Sequence, residues 1–227
     1  MEYILLLTAC INPDGMPFTC LADVGVRKKQ YIEALNFYLK NTTRKIVFVE
    51  NSGTMTINGS GGTIVSDEVG LNSKDFQHRI EFLCFDGNLC FDKRKGKGYG
   101  EALILEYAMA KSEFITDDVL IFKLTGRLQL ININRLIHYM DKLSPSKNFV
   151  CVVPPQNNSV DSRCFVCNKY YLENIFLKDK FHIDDSVGYY FEHLLFDSLR
   201  QNKGKIRIHK IPFFLYWRGI SGSLGDR

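Results

Sequence analysis

Two cations stand at the end of an apolar segment, where a buried strand has little use for charge. The segment DDVLIFKLTGRLQLIN, residues 117–132, contains Lys123 and Arg127, with Thr125 and Gly126 between them. Arginine presents a planar fork that matches phosphate oxygens, and lysine presents a compact point charge. The segment therefore predicts an anion site, and phosphate oxygens are ligands that suit its two cations.

The sequence does not contain the usual pair of acidic residues that holds a metal ion beside a bound diphosphate. Divalent cations at such sites are held by carboxylates, yet the chain contains no Asp-x-Asp. The adjacent pairs Asp117–Asp118 and Asp184–Asp185 would point to opposite faces of an extended strand. We therefore expect Lys123 and Arg127 to neutralise the anion directly and do not expect a bound metal. A metal bound by single carboxylates is an alternative to this expectation. For Lys123 and Arg127 themselves, the alternative role is an ion pair with an acid such as Glu101.

A second basic cluster is interleaved with glycine. The stretch KRKGKGYGE, residues 93–101, places Lys97 and Gly98 just before a predicted helix, and Glu101 near its start. Glycines let backbone amides approach a phosphate, and a helix N-terminus adds positive charge. The stretch is neither a Walker A loop nor the dinucleotide fingerprint. A solvated surface turn explains it equally well.

Candidates for proton transfer occur in residues 183–199, IDDSVGYYFEHLLFDSL. If the segment is a helix, Asp185, Tyr189, Glu192 and His193 fall within a few turns of one another. A carboxylate or imidazole there is a candidate to accept a proton from an attacking hydroxyl. A helix surface with satisfied side chains is the alternative for each of them.

Apolar runs and helical spacings predict the elements that must position these residues. EYILLLTACI and RKIVFVENSG predict buried strands, with a helix over RKKQYIEALNFYLKN between them. This order predicts an α/β protein with a parallel sheet. Further strands are predicted in HRIEFLCF, residues 117–131, NFVCVVPP and KIRIHKIPFFLYW, and a loop in residues 53–75. Ligands bind at the carboxyl ends of such strands, so the candidate site also includes the polar residues Thr8, Glu50, Asn51 and Ser52.

Length and composition limit the class of protein. The chain has 227 residues, 45% of them hydrophobic and 24% charged, which predicts one soluble globular domain over 1–227. Its net charge of +4 suits anionic small ligands or loose contact with a membrane, and no basic stripe with stacking aromatics indicates nucleic acid. No apolar run approaches the about 18 residues of a membrane span, so a cytoplasmic location is expected. Seven irregularly spaced cysteines predict reduced thiols.

Eight segments carry a resemblance to a known family. This sequence resembles small bacterial glycosyltransferases of capsule, O-antigen and other surface-polysaccharide gene clusters, in which similar segments occur in the same order. The Lys-x-Thr-Gly-Arg motif is the most specific of the segments, which together span nearly the whole chain. They are LTACINP, RKKQYIEAL, IVFVENSG, KGKGYGEALILEYAM, FKLTGRLQLIN, DSRCF, YYFEHLL and GISGSLGD.

The resemblance implies a fold, an activity and partners. It implies a single Rossmann-like domain of the GT-A type, with a mostly parallel central sheet flanked by helices. Residues 1–135 would bind a nucleotide sugar as co-substrate, and residues 136–227 would form the acceptor side and close the site. The acceptor would be a glycan or lipid-linked saccharide at the inner membrane face. A nucleotidyl- or phosphotransferase, and a non-catalytic nucleotide- or glycan-binding module, are the alternatives.

The resemblance also implies roles for individual residues. A separate hypothesis is that the terminal segment SGSLGD closes over a bound phosphate through its backbone amides. Asp161, Glu192 and His193 are the candidates for catalysis, while Arg163 and Tyr189 are the candidates for acceptor binding. The donor-binding candidates are Thr8, Glu50, Asn51, Ser52, Lys97, Gly98, Glu101, Lys123, Thr125, Gly126, Arg127, Ser221 and Ser223.

Overall fold

A seven-stranded sheet forms the centre of the protein. The computed structural model describes residues 2–54, 78–143 and 148–219. The strands in chain order are β1 (Glu2–Ala9), β2 (Lys45–Glu50), β3 (Ile80–Cys84), β4 (Val119–Thr125), β5 (Gln129–Leu130), β6 (Phe149–Val152), β7 (Cys164–Asn168), β8 (Arg207–Lys210) and β9 (Trp217–Arg218). The large sheet has the order β3-β2-β1-β4-β7-β6-β8, and β5 and β9 form a separate two-stranded ribbon.

The sheet is mostly parallel, as predicted. Strand β1 pairs in parallel with both β2 and β4, β2 pairs with β3, and β6 pairs with β8. Only β7 runs in the opposite direction, between β4 and β6. The order of the first four strands is that of a Rossmann-like sheet. The predicted class, a single α/β domain whose mostly parallel sheet is flanked by helices, is confirmed.

Helices cover both faces of the sheet because its central strands are apolar on both sides. They are α1 (Val24–Asn41), α2 (Gly96–Lys111), α3 (Ile133–Lys142) and α4 (Phe191–Gln201). Leu5 and Leu7 pack on one face with residues of α1 and α3, while Ile4 and Leu6 pack on the other with residues of α2 and α4. Burial on both faces explains why β1 is a continuous apolar run and not an alternating pattern.

The helix predicted over residues 186–202 begins only at Phe191, so the prediction is wrong for its first five residues. Asp185 lies in a short 3-10 turn, Asp185–Val187, and Gly188 then takes a φ of 78°. Asp184 and Tyr189 form an isolated antiparallel bridge instead of adjacent helical turns. Asp185 and Tyr189 therefore do not share a helix face.

Three other expectations are corrected. The predicted glycine loop is already helical, because α2 begins at Gly96. The segment KIRIHKIPFFLYW is not one strand but β8 and β9, interrupted at Pro212, which has no N–H to donate to a ladder. Strand β7 was not predicted at all, and it carries Cys164 and Cys167 on opposite faces of the sheet.

Candidate functional site

A cavity of about 670 Å³ opens at the carboxyl edge of β1, β2 and β4. The N-terminus of α2, the segment 159–163, Asp185 and the segment 190–192 complete its wall. This is the edge where open α/β sheets bind ligands. Ten of the predicted site residues line the cavity: Thr8, Asn51, Lys97, Gly98, Glu101, Thr125, Arg127, Asp161, Arg163 and Glu192.

Six other predicted residues do not line the cavity, and two lie outside the described residues. Glu50, Ser52, Lys123 and Gly126 lie behind its wall, whereas Tyr189 and His193 line a different surface cleft. Ser221 and Ser223 belong to the part of the chain that the structure does not describe.

Lys123 lies beneath the cavity in an ion pair. Its side chain is fully buried, and its Nζ lies 2.5 Å from Oε1 of Glu101. The same ammonium donates to the carbonyl oxygen of Ser162 at 2.5 Å. Thr8 Oγ1 donates to the same Glu101 oxygen at 2.9 Å. Lys123 thus holds the Glu101 carboxylate, which itself faces the cavity, in a fixed orientation.

Arg27 provides a buried cation that the sequence analysis did not select. Arg27 lies in the first turn of α1, and its side chain reaches the loop that follows β1. Its Nε donates to the carbonyl oxygens of Cys10 at 2.9 Å and Ile11 at 3.1 Å, and its Nη1 donates to Leu21 O at 3.0 Å. These carbonyls are neutral, so they orient the guanidinium without cancelling its charge.

Arg127 lies close to Arg27 in the same wall. Arg127 is only 8% exposed, and its Nη1 donates to Gln30 Oε1 at 3.2 Å. Burial lowers the pKa of Arg127 and the charge of Arg27 lowers it further, while Tyr31 opposes the change. Arginine nevertheless stays charged at neutral pH. Arg27, Arg127 and Tyr31 form what we call the cationic end of the cavity.

Gly126 allows the turn that carries Arg127 to approach β1. Its N–H donates to the Thr8 carbonyl oxygen at 2.9 Å. A Cβ at this position would lie 2.7 Å from that oxygen, closer than packed atoms tolerate. The glycine is therefore required by the neighbouring strand of the protein itself.

Glu50 and Ser52 organise the loops behind the cavity. The fully buried Glu50 accepts hydrogen bonds at Oε1 from the N–H groups of Ile11 at 2.9 Å and Ser52 at 3.0 Å. Ser52 Oγ in turn accepts from the Asn12 N–H at 3.0 Å. Asn51, by contrast, lines the cavity, and its Nδ2 donates to Gly100 O at 3.4 Å. The loops after β1 and β2 are thus tied together by one carboxylate.

Asp185 and Glu192 form an acidic end with the start of α2. Asp185 Oδ2 accepts from the Lys97 N–H at 2.9 Å. Burial raises the pKa of Asp185, and the negative charge of the neighbouring Glu192 raises it as well. The hydrogen bonds from the backbone of α2 lower this pKa but do not outweigh burial. The Glu192 carboxylate accepts a hydrogen bond from Ser162 Oγ. Gly96 has a φ of 82°, and a Cβ there would lie 2.0 Å from Asp185 Oδ2, so glycine is needed beside this carboxylate.

Asp161 and Arg163 form a two-pronged ion pair in the cavity wall. Arg163 Nη2 lies 2.8 Å from Asp161 Oδ2, and its Nε lies 3.0 Å from Oδ1. The Arg163 guanidinium carbon also lies 5.6 Å from the centre of the Trp217 ring. Asp161 is therefore occupied by its neighbour, which leaves Glu192 as the cavity carboxylate held only by a hydroxyl.

His193 and Tyr189 lie in a surface cleft outside the cavity. His193 Nδ1 accepts from the Tyr190 N–H at 3.1 Å, as part of a capping box at the start of α4. Tyr189 Oη donates to Asp197 Oδ2 at 2.8 Å, and burial is the largest cause that raises the pKa of Tyr189 to about 12. The predicted roles of these two residues stay predictions, and the structure does not bring them to the cavity.

Carboxylates that face the cavity are engaged by protein groups. Glu101 pairs with Lys123, Asp161 pairs with Arg163, and Asp185 accepts from α2. Within residues 2–54, 78–143 and 148–219, no three His, Cys, Asp or Glu side chains converge to hold a metal ion. Over the same residues, no helix has the length and apolar character needed to cross a membrane.

Several solved structures share the general arrangement at low identity. No protein-family model matches the chain, and no curated protein matches it by sequence. Mouse xyloside xylosyltransferase 1 in its apo form is similar over 93% of this chain and 85% of its own, with 13% identity and a TM-score of 0.49. A putative glucose-1-phosphate thymidylyltransferase from Bacillus anthracis is similar over 100% and 92%, with 11% identity and a TM-score of 0.48. The inositol-1-phosphate CTP transferase from T. maritima is similar over 100% and 91%, with 13% identity and a TM-score of 0.48. Similarity at this level assigns the chain to no family and to no activity.

Proposed function

We propose that this protein is a glycosyltransferase that moves a sugar from a nucleotide-sugar donor to a glycan or lipid-linked saccharide acceptor. The observation that carries the proposal is the division of one cavity into a cationic end, with Arg27 and Arg127, and an acidic end, with Asp185 and Glu192. A sugar transfer needs both: fixed positive charge at the leaving diphosphate and a proton acceptor at the attacking hydroxyl.

The cationic end is the proposed diphosphate site. Two neighbouring buried guanidinium groups create a positive potential that favours a multiply charged anion. Their planar donors suit phosphate oxygens. Lys97, at the start of α2, adds the charge of its side chain on another side of the cavity. Thr8 and Asn51, at the ends of β1 and β2, are proposed to contact the nucleoside.

The acidic end is the proposed site of proton transfer. Glu192 is the proposed base because Asp161 is held by Arg163 and His193 lies in another cleft. In the transfer, the bond between the anomeric carbon and the phosphate oxygen breaks, and a bond to the acceptor oxygen forms. The acceptor proton passes to Glu192, and the nucleoside diphosphate leaves with the electron pair. Arg163 is the proposed contact to the acceptor.

The biological setting remains part of the proposal. The resemblance to enzymes of bacterial surface-polysaccharide clusters supports a role in making such a glycan at the inner membrane face. A divalent metal is not required in this account, because Arg27 and Arg127 neutralise the diphosphate. Lys123 is proposed to support the reaction by holding Glu101 and not by binding the donor itself.

The test is to supply nucleoside-diphosphate sugars singly and to measure release of the nucleoside diphosphate without acceptor. We expect slow release with one donor class, and less release from Glu192→Gln than from the wild type. Parallel reactions contain nucleoside triphosphates and sugar 1-phosphates, and pyrophosphate is measured. Pyrophosphate release would identify a nucleotidyltransferase, and binding without any turnover would identify a binding module. Either result would overturn the proposal.

A further inference from the structure

One segment of the chain carries positive charge without any acid. Between Lys203 and Arg218 there are five lysine or arginine residues and no aspartate or glutamate. The whole chain has 29 Lys and Arg against 25 Asp and Glu, so this segment accounts for the entire excess of +4. All five cations are exposed: Lys203, Lys205, Arg207, Lys210 and Arg218.

Exposed apolar side chains lie in the same part of the molecule. Phe214 is 83% exposed, Tyr216 is 58% exposed and Ile131 is 41% exposed. The Ile131 N–H donates to Tyr216 O at 2.8 Å, and Asn132 Nδ2 donates to Phe214 O at 2.8 Å, so the two chain segments that carry these side chains lie side by side. Side chains alternate along an extended chain, and the fully buried Leu130 occupies the inward face. We call Ile131 and residues 203–218 the basic-aromatic surface.

Protection of a sheet edge explains only part of this surface. Strand β8 is the last strand of the large sheet, and lysines on an edge strand discourage pairing with other chains. That role accounts for the cations of β8. It does not account for Phe214 and Tyr216, because exposed aromatics beside a sheet edge promote association. Cations and aromatics together match the surface of an anionic bilayer, where aromatic rings settle at headgroup level and cations contact acidic lipids.

We infer that the basic-aromatic surface docks the protein on an anionic lipid bilayer. Neither feature is sufficient alone, since stable attachment usually requires two weak signals together. The surface also adjoins the cavity, because Trp217 lies against Arg163, which lines the cavity wall. Docking therefore turns the Asp161–Arg163 side of the cavity toward the lipid. If the proposed transfer holds, its acceptor is lipid-linked, and this consequence alone rests on the proposed function.

The test is sedimentation of the purified full chain with lipid vesicles. Mixed phosphatidylglycerol–phosphatidylethanolamine vesicles are compared with phosphatidylcholine vesicles, at low and at high salt. We expect binding to the anionic vesicles only, and weaker binding at high salt because ions screen the attraction. Removing each cation should weaken the partition coefficient on the order of fivefold. Phe214→Ser with Tyr216→Ser should also abolish measurable binding.

A matched control separates the position of the charge from its amount. One variant changes Lys203, Lys205, Arg207 and Lys210 to glutamine. The control changes four exposed lysines elsewhere, Lys40, Lys111, Lys142 and Lys178, to glutamine. Both variants have the same formal charge, so only the first should lose vesicle binding. For the aromatic pair, the control is Tyr170→Ser, which is 48% exposed beside the far end of β7.

Three results would overturn the inference. Equal loss in both lysine variants would mean that net charge alone drives binding. Unchanged vesicle binding by the first lysine variant, together with its aggregation, would mean that the cations protect the sheet edge. A dimer in size-exclusion chromatography that Phe214→Ser dissociates would mean that a second copy covers this surface. Vesicle binding needs no donor or acceptor, so its failure is distinct from failure of the proposed transfer.

Discussion

The ammonium of Lys123 lies 2.5 Å from Oε1 of Glu101, and the Lys123 side chain is fully buried. This pair joins the central strand β4 to the first turns of α2, directly under the cavity. Because Glu101 faces the cavity and Lys123 does not, the lysine influences a ligand only through the groups that it holds. The cations of the Lys-x-Thr-Gly-Arg motif therefore differ in position: Arg127 lines the cavity, and Lys123 supports its floor.

Replacing Lys123 by methionine should destabilise the fold. The change leaves Glu101 without its cation, and removal of one partner from a buried pair costs about 3 kcal/mol or more. Urea unfolding measures this loss. The double variant Lys123→Met with Glu101→Gln should recover part of it, because no charge is then left unpaired. Wild-type stability in Lys123→Met with loss of activity would contradict this role and would favour direct contact with the ligand.

Replacing Arg127 by alanine should impair donor binding and turnover. Removing one preorganised group that faces developing charge commonly costs a factor of about 10² to 10³ in rate. Release of nucleoside diphosphate from the donor measures the effect. The control is Arg94→Ala, which removes an exposed guanidinium that pairs with Asp92 and does not line the cavity. Equal activity of the two variants would show that Arg127 is not part of the donor site.

Replacing Gly126 by alanine should destabilise the protein, because the added Cβ would lie 2.7 Å from the Thr8 carbonyl oxygen. Overpacking of this kind typically costs about 1 to 3 kcal/mol. The same substitution at Gly204, where nothing lies within 4 Å of the added atom, is the control. Thermal unfolding of both variants measures the difference. Equal Tm values would mean that the turn after β4 can move away from β1.

Replacing Asp185 by asparagine should change how stability depends on pH. Burial raises the pKa of Asp185 in the folded protein. Its contribution to the free energy of unfolding is therefore full below the ordinary aspartate pKa and is lost as the pH rises through the raised pKa. Relative to wild type, the variant should thus gain stability as the pH increases from about 3 to about 7. A variant that instead loses stability relative to wild type over this range would contradict the assigned direction.

Replacing Glu192 by glutamine should reduce transfer without reducing donor affinity. Loss of a positioned general base typically costs a factor of about 10² to 10⁴ in rate. The readouts are kcat and donor KM, measured separately. His193→Gln, at the next residue of the same helical turn but outside the cavity, serves as the control. If His193→Gln has the larger effect, the base is misassigned.

Long apolar segments made much of the fold predictable. The β1 run and the helical spacing of Tyr31, Ala34 and Tyr38 in α1 leave little alternative to a buried strand followed by an amphipathic helix. Strand β7 was missed because CFVCN is too short to separate from a helix by periodicity. The start of α4 was misplaced because the Asp184–Tyr189 bridge depends on contacts that no local pattern reveals.

The candidate site was predictable in its location but less so in its detail. The polar residues after β1, β2 and β4 do converge, because parallel strands end at one edge. Arg27 was missed because RKKQYIEAL resembles a solvated first helical turn, and only the carbonyls of the β1 loop bury it. Likewise, nothing local distinguishes Lys123, which pairs with Glu101, from Arg127, which lines the cavity.

The most direct test of the central claim is a thermal-shift panel of nucleotides and nucleotide sugars, first with EDTA and then with manganese. The account predicts that one nucleoside diphosphate, or its sugar, raises the Tm with EDTA present. It also predicts that the monophosphate raises the Tm less, and that Arg127→Ala abolishes the shift while Arg94→Ala keeps it. Stabilisation that appears only with manganese, or that survives Arg127→Ala, would contradict the claim that arginines hold the diphosphate.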